Sequence, residues 1–382
     1  MMTVNGACGI IHEMTGQEKM QSESGKIKVV VAMSGGVDST TAALLLRENG
    51  YEVHGVMMRL FDPQDYTATT SPAIEHTRAV AEKLAIPFEV LDLRDAFRKS
   101  VFTYFIKSHE QGVTPNPCFM CNRLVKWGLL MDHVLGQGIK WLASGHYVRT
   151  IRRPDGIVEL YKGIDSQKDQ SYVLSGLTQA QLAHAIFPLG EMKKVHTREV
   201  ARRYNLNFDQ VSESQDLCFL DGHSQEQYLR RHAPHLFEPG DILTPDGKWV
   251  GRHSGLANYT IGQRKGLGAG HSEPIFVLRK DIRTNTLIVG ERKMLGAKEI
   301  RVATPNWISG EAPYLPIDVD VKIRYRSNLI KGRIERQDEA GCDIIFEEPV
   351  RDPTPGQFAV FYQGEKVLGS AVITRSELGE NS

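Results

Sequence analysis

The sequence predicts an α/β protein in which a parallel-sheet domain is followed by a small, mainly β middle domain and a C-terminal β-barrel. Three observations lead to this prediction. In the first half, short apolar segments alternate with segments of helical period, which is typical of a parallel sheet with helices on both faces. After about residue 220, strand-like segments separated by Gly, Pro and Asp turns replace that alternation. At 382 residues, the chain is also long enough for two or three domains.

The elements of the first half follow from buried apolar runs and helical spacing. The predicted strands are Val29–Met33, Glu52–Met58, Phe88–Leu93 and Ile139–Ala143. The predicted helices lie near Thr40–Glu48, Ile74–Leu84, Ala96–Lys107 and Leu124–Leu135. A Pro-Asp-Gly turn at Pro154–Gly156 predicts a hairpin that is added to the parallel sheet. In the second half, the predicted strands include PIFVLRK, TLIVG, IDVDVKIRYR, CDIIFEE, FAVFY and VLGSAVI.

The composition sets limits on compartment and partners. The formal net charge is zero at pH 7, which argues against indiscriminate binding of nucleic acid but leaves room for local basic surfaces. No apolar segment reaches the roughly 18 residues of a membrane helix. Residues 1–26 lack the pattern of a secretory signal, and we expect them to form a disordered extension or to reflect the choice of start, since Met14 and Met20 are plausible starts. Five cysteines in so long a chain indicate a reducing compartment, so we expect a cytoplasmic protein.

The stretch VVVAMSGGVDSTTAALLL, from Val29 to Leu46, has the pattern of a phosphate-binding turn between a strand and a helix. Glycines let the backbone approach an anion, and the N–H groups of the turn and helix N-terminus supply donors. An aspartate in such a turn suggests a bridging Mg²⁺. The stretch is not a Walker A motif, because the required lysine is missing. The candidate phosphate-contacting residues are Ser34, Gly35, Gly36, Val37, Asp38 and Ser39.

The segment SGGVDS resembles the PP-loop of the ATP pyrophosphatases, which cleave ATP between the α- and β-phosphates. This superfamily includes tRNA-thiolating enzymes, a lysidine synthetase, and the synthetases of GMP, asparagine and NAD. The loop alone does not choose among them.

Three cysteines are candidates for chemistry. Cys118 and Cys121 lie in TPNPCFMCN, a Pro-rich stretch predicted to be a loop just before a helix. At a helix N-terminus the dipole lowers the pKa of a thiol, so we expect a reactive thiolate there. Cys218 lies in SESQDLCFL. A disulfide and a buried apolar pair remain alternatives, whereas a zinc site is disfavoured because only one C-x₂-C pair is present.

A further set of motifs narrows the resemblance to the bacterial tRNA-specific 2-thiouridylases. These motifs occur in that family's order between residue 27 and about residue 375: TPNPC..C, GHY, KDQSY, FPLG, SQDLCF, YTIGQRKGLG, RYR and PGQ.AVFY. The resemblance implies a PP-loop ATP pyrophosphatase domain at residues 27–224. It also implies a small central tRNA-binding domain at 225–294 and a C-terminal β-barrel that binds tRNA at 295–382.

The resemblance also assigns roles to residues. It implies that Cys121 is the catalytic nucleophile, that Cys218 carries a persulfide, and that the two can form a disulfide. Asp38 is placed with the catalytic groups. Some family members carry Asp where this chain has Cys118, so that position need not supply the nucleophile. The implied ATP site is Ala32, Met33, Ser34, Gly35, Gly36, Val37, Asp38, Ser39, Met58 and Gly145. The implied target-base contacts are Asn116, Pro117 and Cys118, and the implied tRNA contacts are His146, Lys168, Asp169, Gln170, Arg324, Tyr325 and Gln357.

The implied reaction is ATP-dependent 2-thiolation of the wobble uridine, position 34, in tRNAs such as those for Lys, Glu and Gln. Adenylation of the C2 oxygen would release pyrophosphate, with Mg²⁺ bound to ATP. Sulfur would come from a persulfide donor such as a cysteine desulfurase or a relay protein. Two routes stay open at this point: direct attack by the persulfide, or attack by sulfide that Cys121 releases.

Three rival interpretations remain. Cys118, Cys121 and Cys218 could hold a [4Fe–4S] cluster with one open iron and run the same thiolation. The chain could instead be an amide-forming PP-loop synthetase, although such an enzyme would not need the three cysteines. It could also be a non-catalytic RNA-binding module that retains the nucleotide-binding fold.

Overall fold

The computed structural model describes residues 25–62, 71–206, 208, 217–267 and 274–376. Most of the predicted N-terminal extension, with Cys8, lies outside the described residues. The α-helices are α1 (Val37–Glu48), α2 (Pro72–Lys83), α3 (Arg94–Phe97), α4 (Thr103–Glu110), α5 (Pro117–Cys121), α6 (Leu130–Gly136), α7 (Ser171–Leu174), α8 (Gln179–Leu182), α9 (Lys194–Arg203) and α10 (Gln225–His232). The π-helices are Arg98–Phe102 and Asn122–Leu129, and the 3₁₀ helices are Cys218–Leu220, Pro234–Phe237, Leu256–Asn258 and Arg292–Leu295.

Strands fall into three sheets. Those of the first half are β1 (Lys28–Ala32), β2 (Glu52–Arg59), β3 (Phe88–Asp92), β4 (Trp141–Ser144), β5 (Val148–Arg152), β6 (Val158–Lys162) and β7 (Ala185–Ile186). The middle strands are β8 (Gly240–Leu243), β9 (Trp249–His253), β10 (Ile275–Asp281) and β11 (Thr286–Glu291). The last strands are β12 (Gly296–Val302), β13 (Asn306–Trp307), β14 (Ile317–Lys322), β15 (Ile330–Asp338), β16 (Gly341–Arg351), β17 (Phe358–Gln363) and β18 (Lys366–Ser376).

The first sheet is parallel, and its strand order is β3-β2-β1-β4-β7. Successive residues of β1 point to opposite faces of the sheet: Val29 and Val31 join one buried cluster, and Val30 joins another. The sheet is therefore covered on both faces, which confirms the predicted α/β class. Between β1 and β4 the strand order reverses direction, and at such a point an open α/β sheet binds its ligands.

The hairpin of β5 and β6 is not part of the parallel sheet, so that prediction is wrong. Strand β6 pairs instead with β18 of the C-terminal sheet, with Tyr161 opposite Lys366 and Leu160 opposite Val367. The physical reason is burial: Val158 and Leu160 are fully buried in the cluster that also contains Phe358. A strand from the first half thus extends the sheet of the C-terminal half.

The second half consists mainly of β-strands, as predicted. In the middle part, four strands form a sheet of order β10-β11-β8-β9 around a small core that includes Ile242 and Leu287. In the last part, six strands form a barrel of order β12-β16-β15-β14-β17-β18, which closes because β12 also pairs with β18. Within the described ranges, no helix has the length and apolar character needed to cross a membrane.

Candidate active site

The PP-loop lies between β1 and α1 and is held by its own side chains. The Ser39 hydroxyl accepts a hydrogen bond from the Ser34 amide (3.1 Å) and donates one to the Gly36 carbonyl (3.2 Å). Gly35 has φ +73°, and a Cβ there would lie 2.5 Å from Thr77 Oγ1. Glycine is required at this position, because both the conformation and the close neighbour exclude a side chain.

The end of β4 approaches the same turn. Gly145 follows β4, and a Cβ on it would lie 2.6 Å from the carbonyl carbon of Asp38 and 2.7 Å from the amide nitrogen of Ser39. These neighbours are backbone atoms that cannot rotate away. The glycine of GHY therefore lets β4 pack directly against the first turn of α1, at the point where the strand order reverses.

A cavity of about 1200 Å³ opens beside the PP-loop. The loop, from Ser34 to Asp38, forms one wall, and helix α9 contributes Lys194, Arg198 and Arg202. The spacing of these three basic residues puts them on one face of the helix. On another side, the barrel contributes Tyr325 and Arg326. The volume exceeds the usual range for small-molecule pockets, so a nucleotide and a second substrate group can be accommodated together.

The residues implied for ATP divide into two groups. Five of them line the cavity: Ser34, Gly35, Gly36, Val37 and Asp38. The other five are not among the lining residues and lie at or just after the ends of strands, or within the first turn of α1: Ala32, Met33, Ser39, Met58 and Gly145. The role of each in binding ATP stays a prediction. Sequence reasoning missed His76, whose Nε2 lies 3.1 Å from the Gly35 carbonyl oxygen.

Asp38 is paired with a lysine from a distant helix. Lys194 Nζ donates to both carboxylate oxygens, at 2.6 and 2.7 Å, and the Tyr147 hydroxyl donates to Oδ1 at 2.8 Å. Thr197 lies 2.9 Å from the same hydroxyl. Desolvation, followed by the charge of Asp38, raises the pKa of Tyr147, so this group keeps its proton. Lys194 was not predicted, although the basic spacing of α9 was a usable signal.

Asp38, the partner of Lys194, is the candidate protein ligand for Mg²⁺. A carboxylate suits Mg²⁺, which is usually held by one or two carboxylates together with substrate phosphates. In the described part of the chain, no three His, Cys, Asp or Glu side chains are close enough to hold an ion. Asp38 would therefore be the protein's contribution, and ATP would supply the remaining ligands.

The helix that carries Cys118 and Cys121 begins earlier than the sequence predicts. Pro117 occupies its first turn, and the Asn116 side chain caps it by accepting from the Phe119 amide at 3.1 Å. Helix α5 continues through the π-helix Asn122–Leu129 into α6. Cys118 and Cys121 thus lie inside a helix, and the prediction of a loop at these residues is wrong because the Asn-Pro pair is a helix start.

The barrel holds the segment before α5 from outside. Gln357 Nε2 donates to the carbonyl oxygens of Thr114 (3.0 Å) and Pro115 (3.1 Å). The Thr114 amide in turn donates to the Pro355 carbonyl at 3.0 Å. The Phe119 and Phe358 rings stack, with centroids 3.5 Å apart. Gln357 is therefore engaged within the protein, and its predicted contact with tRNA remains untested.

Cys121 and Cys218 belong to the same part of the molecule. Cys121 is buried in a cluster with Phe219 and Leu220, the two residues after Cys218. Cys118 and Cys218 are exposed, and all three have free thiols. Desolvation raises the pKa of Cys121 to about 12, and it also raises the pKa of Cys118 and Cys218. The predicted lowering of the thiol pKa is wrong here, because desolvation is the largest influence on all three thiols.

A [4Fe–4S] cluster does not fit the described residues. Within the described part of the chain the three cysteines do not form a group that could hold a metal, although Cys118 and Cys218 both act electrostatically on Cys121. No step through such a cluster follows from this arrangement.

The predicted tRNA contacts have different surroundings. Lys168, Asp169, Gln170 and Tyr325 line the cavity. His146 is half-buried, with Nδ1 2.7 Å from Ser144 Oγ, and desolvation lowers its pKa to about 3. Their contact with tRNA stays a prediction.

Arg324 has partners within the protein. Its guanidinium donates to the Asp352 carboxylate at 3.0 Å, to the Asp352 carbonyl at 2.6 Å and to the Thr354 hydroxyl at 2.7 Å. Tyr325, the next residue, lies 39% exposed. Within this predicted pair, Tyr325 is thus the more accessible residue.

Comparisons with known proteins cover nearly the whole chain. Family models described as tRNA methyl transferase HUP domain, tRNA methyl transferase PRC-barrel domain and Aminomethyltransferase beta-barrel domain match residues 27–222, 226–291 and 297–373. The tRNA-specific 2-thiouridylase MnmA of Magnetococcus marinus is 42% identical over 354 residues, which cover 91% of this chain and 98% of that protein. The protein of the same name from Chloroflexus aggregans is 40% identical, covering 92% of this chain and 99% of its own length.

A solved structure, the U34-tRNA thiolase NcsA from Methanococcus maripaludis with its [4Fe-4S] cluster, is 17% identical and covers 55% of this chain and 67% of that chain. Its TM-score of 0.33 is too low to support a structural argument. The relatives from Magnetococcus and Chloroflexus, in contrast, match almost end to end, and the motifs from TPNPC to PGQ.AVFY lie within the matched part. On this basis the chain belongs to the tRNA-specific 2-thiouridylase family.

Proposed function

We propose that this chain catalyses the ATP-dependent 2-thiolation of uridine 34 in tRNA, with adenylation of the C2 oxygen and sulfur transfer from a persulfide on Cys218. The observation that carries the proposal is one cavity lined by separate parts of the chain, in addition to helix α9. The PP-loop lines one side of this cavity. Lys126, from the helical segment that continues from Cys121, also lines it, and the barrel contributes Tyr325. A nucleotide and a base could therefore meet in this cavity. None of the three cysteines is among its lining residues, and Lys126 connects it to the helix that carries Cys121, so we propose that the persulfide of Cys218 reaches the cavity beside Lys126.

The first step activates a poor electrophile. The C2 oxygen of the uracil attacks the α-phosphorus of ATP, the bond to the β-phosphate breaks, and pyrophosphate leaves. The amides of the PP-loop and the ammonium group of Lys194 would stabilise the charge that develops on the phosphates. Bound Mg²⁺ would neutralise part of that charge and orient the leaving group. The product is a base whose oxygen can depart with AMP.

The second step replaces that oxygen with sulfur. On the direct route, the terminal persulfide sulfur of Cys218 attacks C2 and AMP leaves. Cys121 then attacks the Cys218 sulfur, which forms a disulfide and frees the 2-thiouridine. On the other route, Cys121 attacks the persulfide first and releases sulfide, which attacks C2. Both routes end in a Cys121–Cys218 disulfide, so a thiol reductant must restore the enzyme.

The tRNA has to present an unstacked base. Sequence-specific recognition of RNA usually targets loops whose bases can be splayed out, and enzymes that modify a base take it from the stack. We propose that the parts spanning residues 225–294 and 295–382 hold the anticodon arm while the part at 27–224 carries the chemistry. A cysteine desulfurase or a relay protein would load Cys218.

Mass spectrometry of nucleosides tests the proposal. Unmodified tRNA would be incubated with the protein, ATP, Mg²⁺, cysteine and a cysteine desulfurase, and then digested. The expected product is 2-thiouridine from position 34, formed only when ATP is present. A Cys218→Ser variant is the control. Release of pyrophosphate without any thiouridine, or formation of an amide product from an added amine, would contradict the proposal and favour a synthetase.

A further inference from the structure

Lys126 belongs to the helical segment that follows Cys121 and also lines the cavity beside the PP-loop. It lies in the π-helix Asn122–Leu129, which directly follows Cys121, and its side chain lines the same cavity as the PP-loop. π-Helical segments are rare and are often found at functional sites, because the extra residue per turn changes which side chains point inward.

The ammonium group of Lys126 has no partner among the described residues. It is half-buried, and within those residues it forms neither a hydrogen bond nor an ion pair. Lys194, which also lines the cavity, is instead bound to Asp38. Two buried polar atoms of the same π-helix, Asn122 Oδ1 and Trp127 Nε1, also lack partners within the described structure. A partly desolvated cation without a counter-ion is costly unless a ligand supplies the anion.

The charge of Lys126 acts on all three thiols. Desolvation is the largest influence on Cys118, Cys121 and Cys218 and raises the pKa of each, whereas the positive charge of Lys126 lowers it. The same charge also lowers the pKa of His146, after the larger effect of desolvation. Lys126 therefore lies within electrostatic reach of the sulfur groups and of the cavity at once.

We propose that Lys126 is the positioning residue for sulfur transfer, and that its ammonium group holds the anionic sulfur of Cys218 at the cavity wall. This inference rests on the proposed function and deepens it. The sulfur gains a cationic partner where the activated base would lie, and the lysine gains its missing anion. Lys126 itself forms and breaks no bond, so the inference holds for both sulfur routes.

Sulfur is a better match for Lys126 than the phosphates of ATP. Lys194 donates a hydrogen bond to Asp38 in the first turn of α1, next to the amides of the PP-loop. These amides and the Lys194 ammonium group can serve as the donors for the phosphates. Lys126 comes five residues after Cys121 along the chain, in the helix that carries Cys118 and Cys121, and its charge also acts on Cys218. Removal of its charge should therefore affect sulfur transfer and spare adenylation.

The test compares Lys126→Met, which removes the charge at similar length, with Lys126→Arg, which keeps it. Arg123→Met is the matched control, because Arg123 lies in the same π-helix but outside the cavity lining. Two readouts are taken at fixed pH: single-turnover 2-thiouridine formation from persulfide-loaded protein, and the rate at which iodoacetamide alkylates Cys218. Release of pyrophosphate with tRNA and ATP is measured in parallel.

We expect Lys126→Met to slow thiolation about a hundredfold, the usual cost of losing one charge-stabilising donor. Cys218 should be alkylated more slowly, because the thiolate is the reactive form. Pyrophosphate release should be unchanged, and both Lys126→Arg and Arg123→Met should behave nearly like the wild type. Equal effects of Lys126→Met and Arg123→Met, or an equal loss of pyrophosphate release in Lys126→Met, would overturn the inference. If the wild type itself forms no thiouridine, the proposed function fails instead.

Discussion

The PP-loop and the cysteine-bearing helix are built in opposite ways. In the PP-loop, Ser39 closes the turn by bonding to residues within five positions of itself. The segment that precedes Cys118 is held by Gln357, which lies 243 residues away from Thr114 along the chain. The first region is thus a local structure that the sequence dictates directly. The second requires the C-terminal barrel to be folded and in place.

This difference teaches that the two half-reactions can be separated. Substitutions in the barrel should alter the position of the cysteines through Thr114 and Pro115 and should leave the PP-loop unchanged. Changes in the PP-loop should block both steps, because sulfur transfer needs the adenylated base. The predictions below use this asymmetry, beginning with the largest expected effect.

Loss of either sulfur-handling cysteine should abolish thiolation. In Cys121→Ser and Cys218→Ser, the hydroxyl can neither carry a persulfide nor close the disulfide, whereas the affinity for tRNA should stay nearly intact. Thiouridine would be quantified by mass spectrometry and tRNA binding by filter retention. Cys342→Ser serves as the control, because Cys342 is buried in the barrel core away from the cavity. A wild-type yield from either of the first two variants would refute the assignment.

Replacement of Asp38 should stop adenylation. In Asp38→Ala, Lys194 loses its partner and the site loses its candidate Mg²⁺ ligand, so we expect pyrophosphate release to fall by about 10²–10³-fold. Thiouridine formation should fall with it. The assay is tRNA-dependent release of pyrophosphate. Asp38 would be removed from the site if release continued at the wild-type rate.

Loss of the hydrogen bonds from Gln357 of the barrel to Thr114 and Pro115 should affect sulfur transfer selectively. Gln357→Ala removes the donor from two carbonyl oxygens, at a cost of about 1–3 kcal/mol. If that cost falls entirely on the sulfur-transfer step, the thiolation rate should be roughly 5- to 160-fold lower. Pyrophosphate release should change little. Gln363→Ala, an exposed glutamine at the end of β17, is the matched control. An equal loss of both half-reactions in Gln357→Ala would erase the distinction between the two regions.

Acid should destabilise the protein through His146, which follows β4 near both regions. Its pKa is lowered to about 3 by desolvation, so the unfolded chain binds a proton below pH 6.5 that the folded chain does not. The contribution to stability is complete above that pH and is lost as the pH falls. By linkage, it should decrease by about 2 kcal/mol between pH 7 and pH 5. Urea unfolding at several pH values checks this.

The control for this smallest effect is an exposed histidine. His146→Asn should flatten the dependence of the unfolding free energy on pH, whereas His223→Asn should leave the wild-type slope. Parallel slopes for the wild type and His146→Asn would show that the His146 side chain is well hydrated.

The sequence predicted what local patterns encode. The turn from Ser34 to Ser39 and the alternation of strands and helices follow from short-range spacing, and both were correct. Long-range partners were not predictable in this way. Lys194 meets Asp38 from 156 residues away, and hairpin β5–β6 joins a barrel strand because of a shared buried cluster. The environment of Cys121 was also missed, since desolvation depends on the folding of distant aromatic residues around it.

The central claim is that the activated base and the sulfur-bearing thiol meet in one cavity. Its most direct test is a single turnover with protein whose Cys218 persulfide carries ³⁴S, mixed with unmodified tRNA in the absence of any other sulfur source. We expect ³⁴S in 2-thiouridine at position 34 when ATP is added and none when it is omitted. Label that remains on the protein after pyrophosphate has been released, or that enters the tRNA without ATP, would contradict the account.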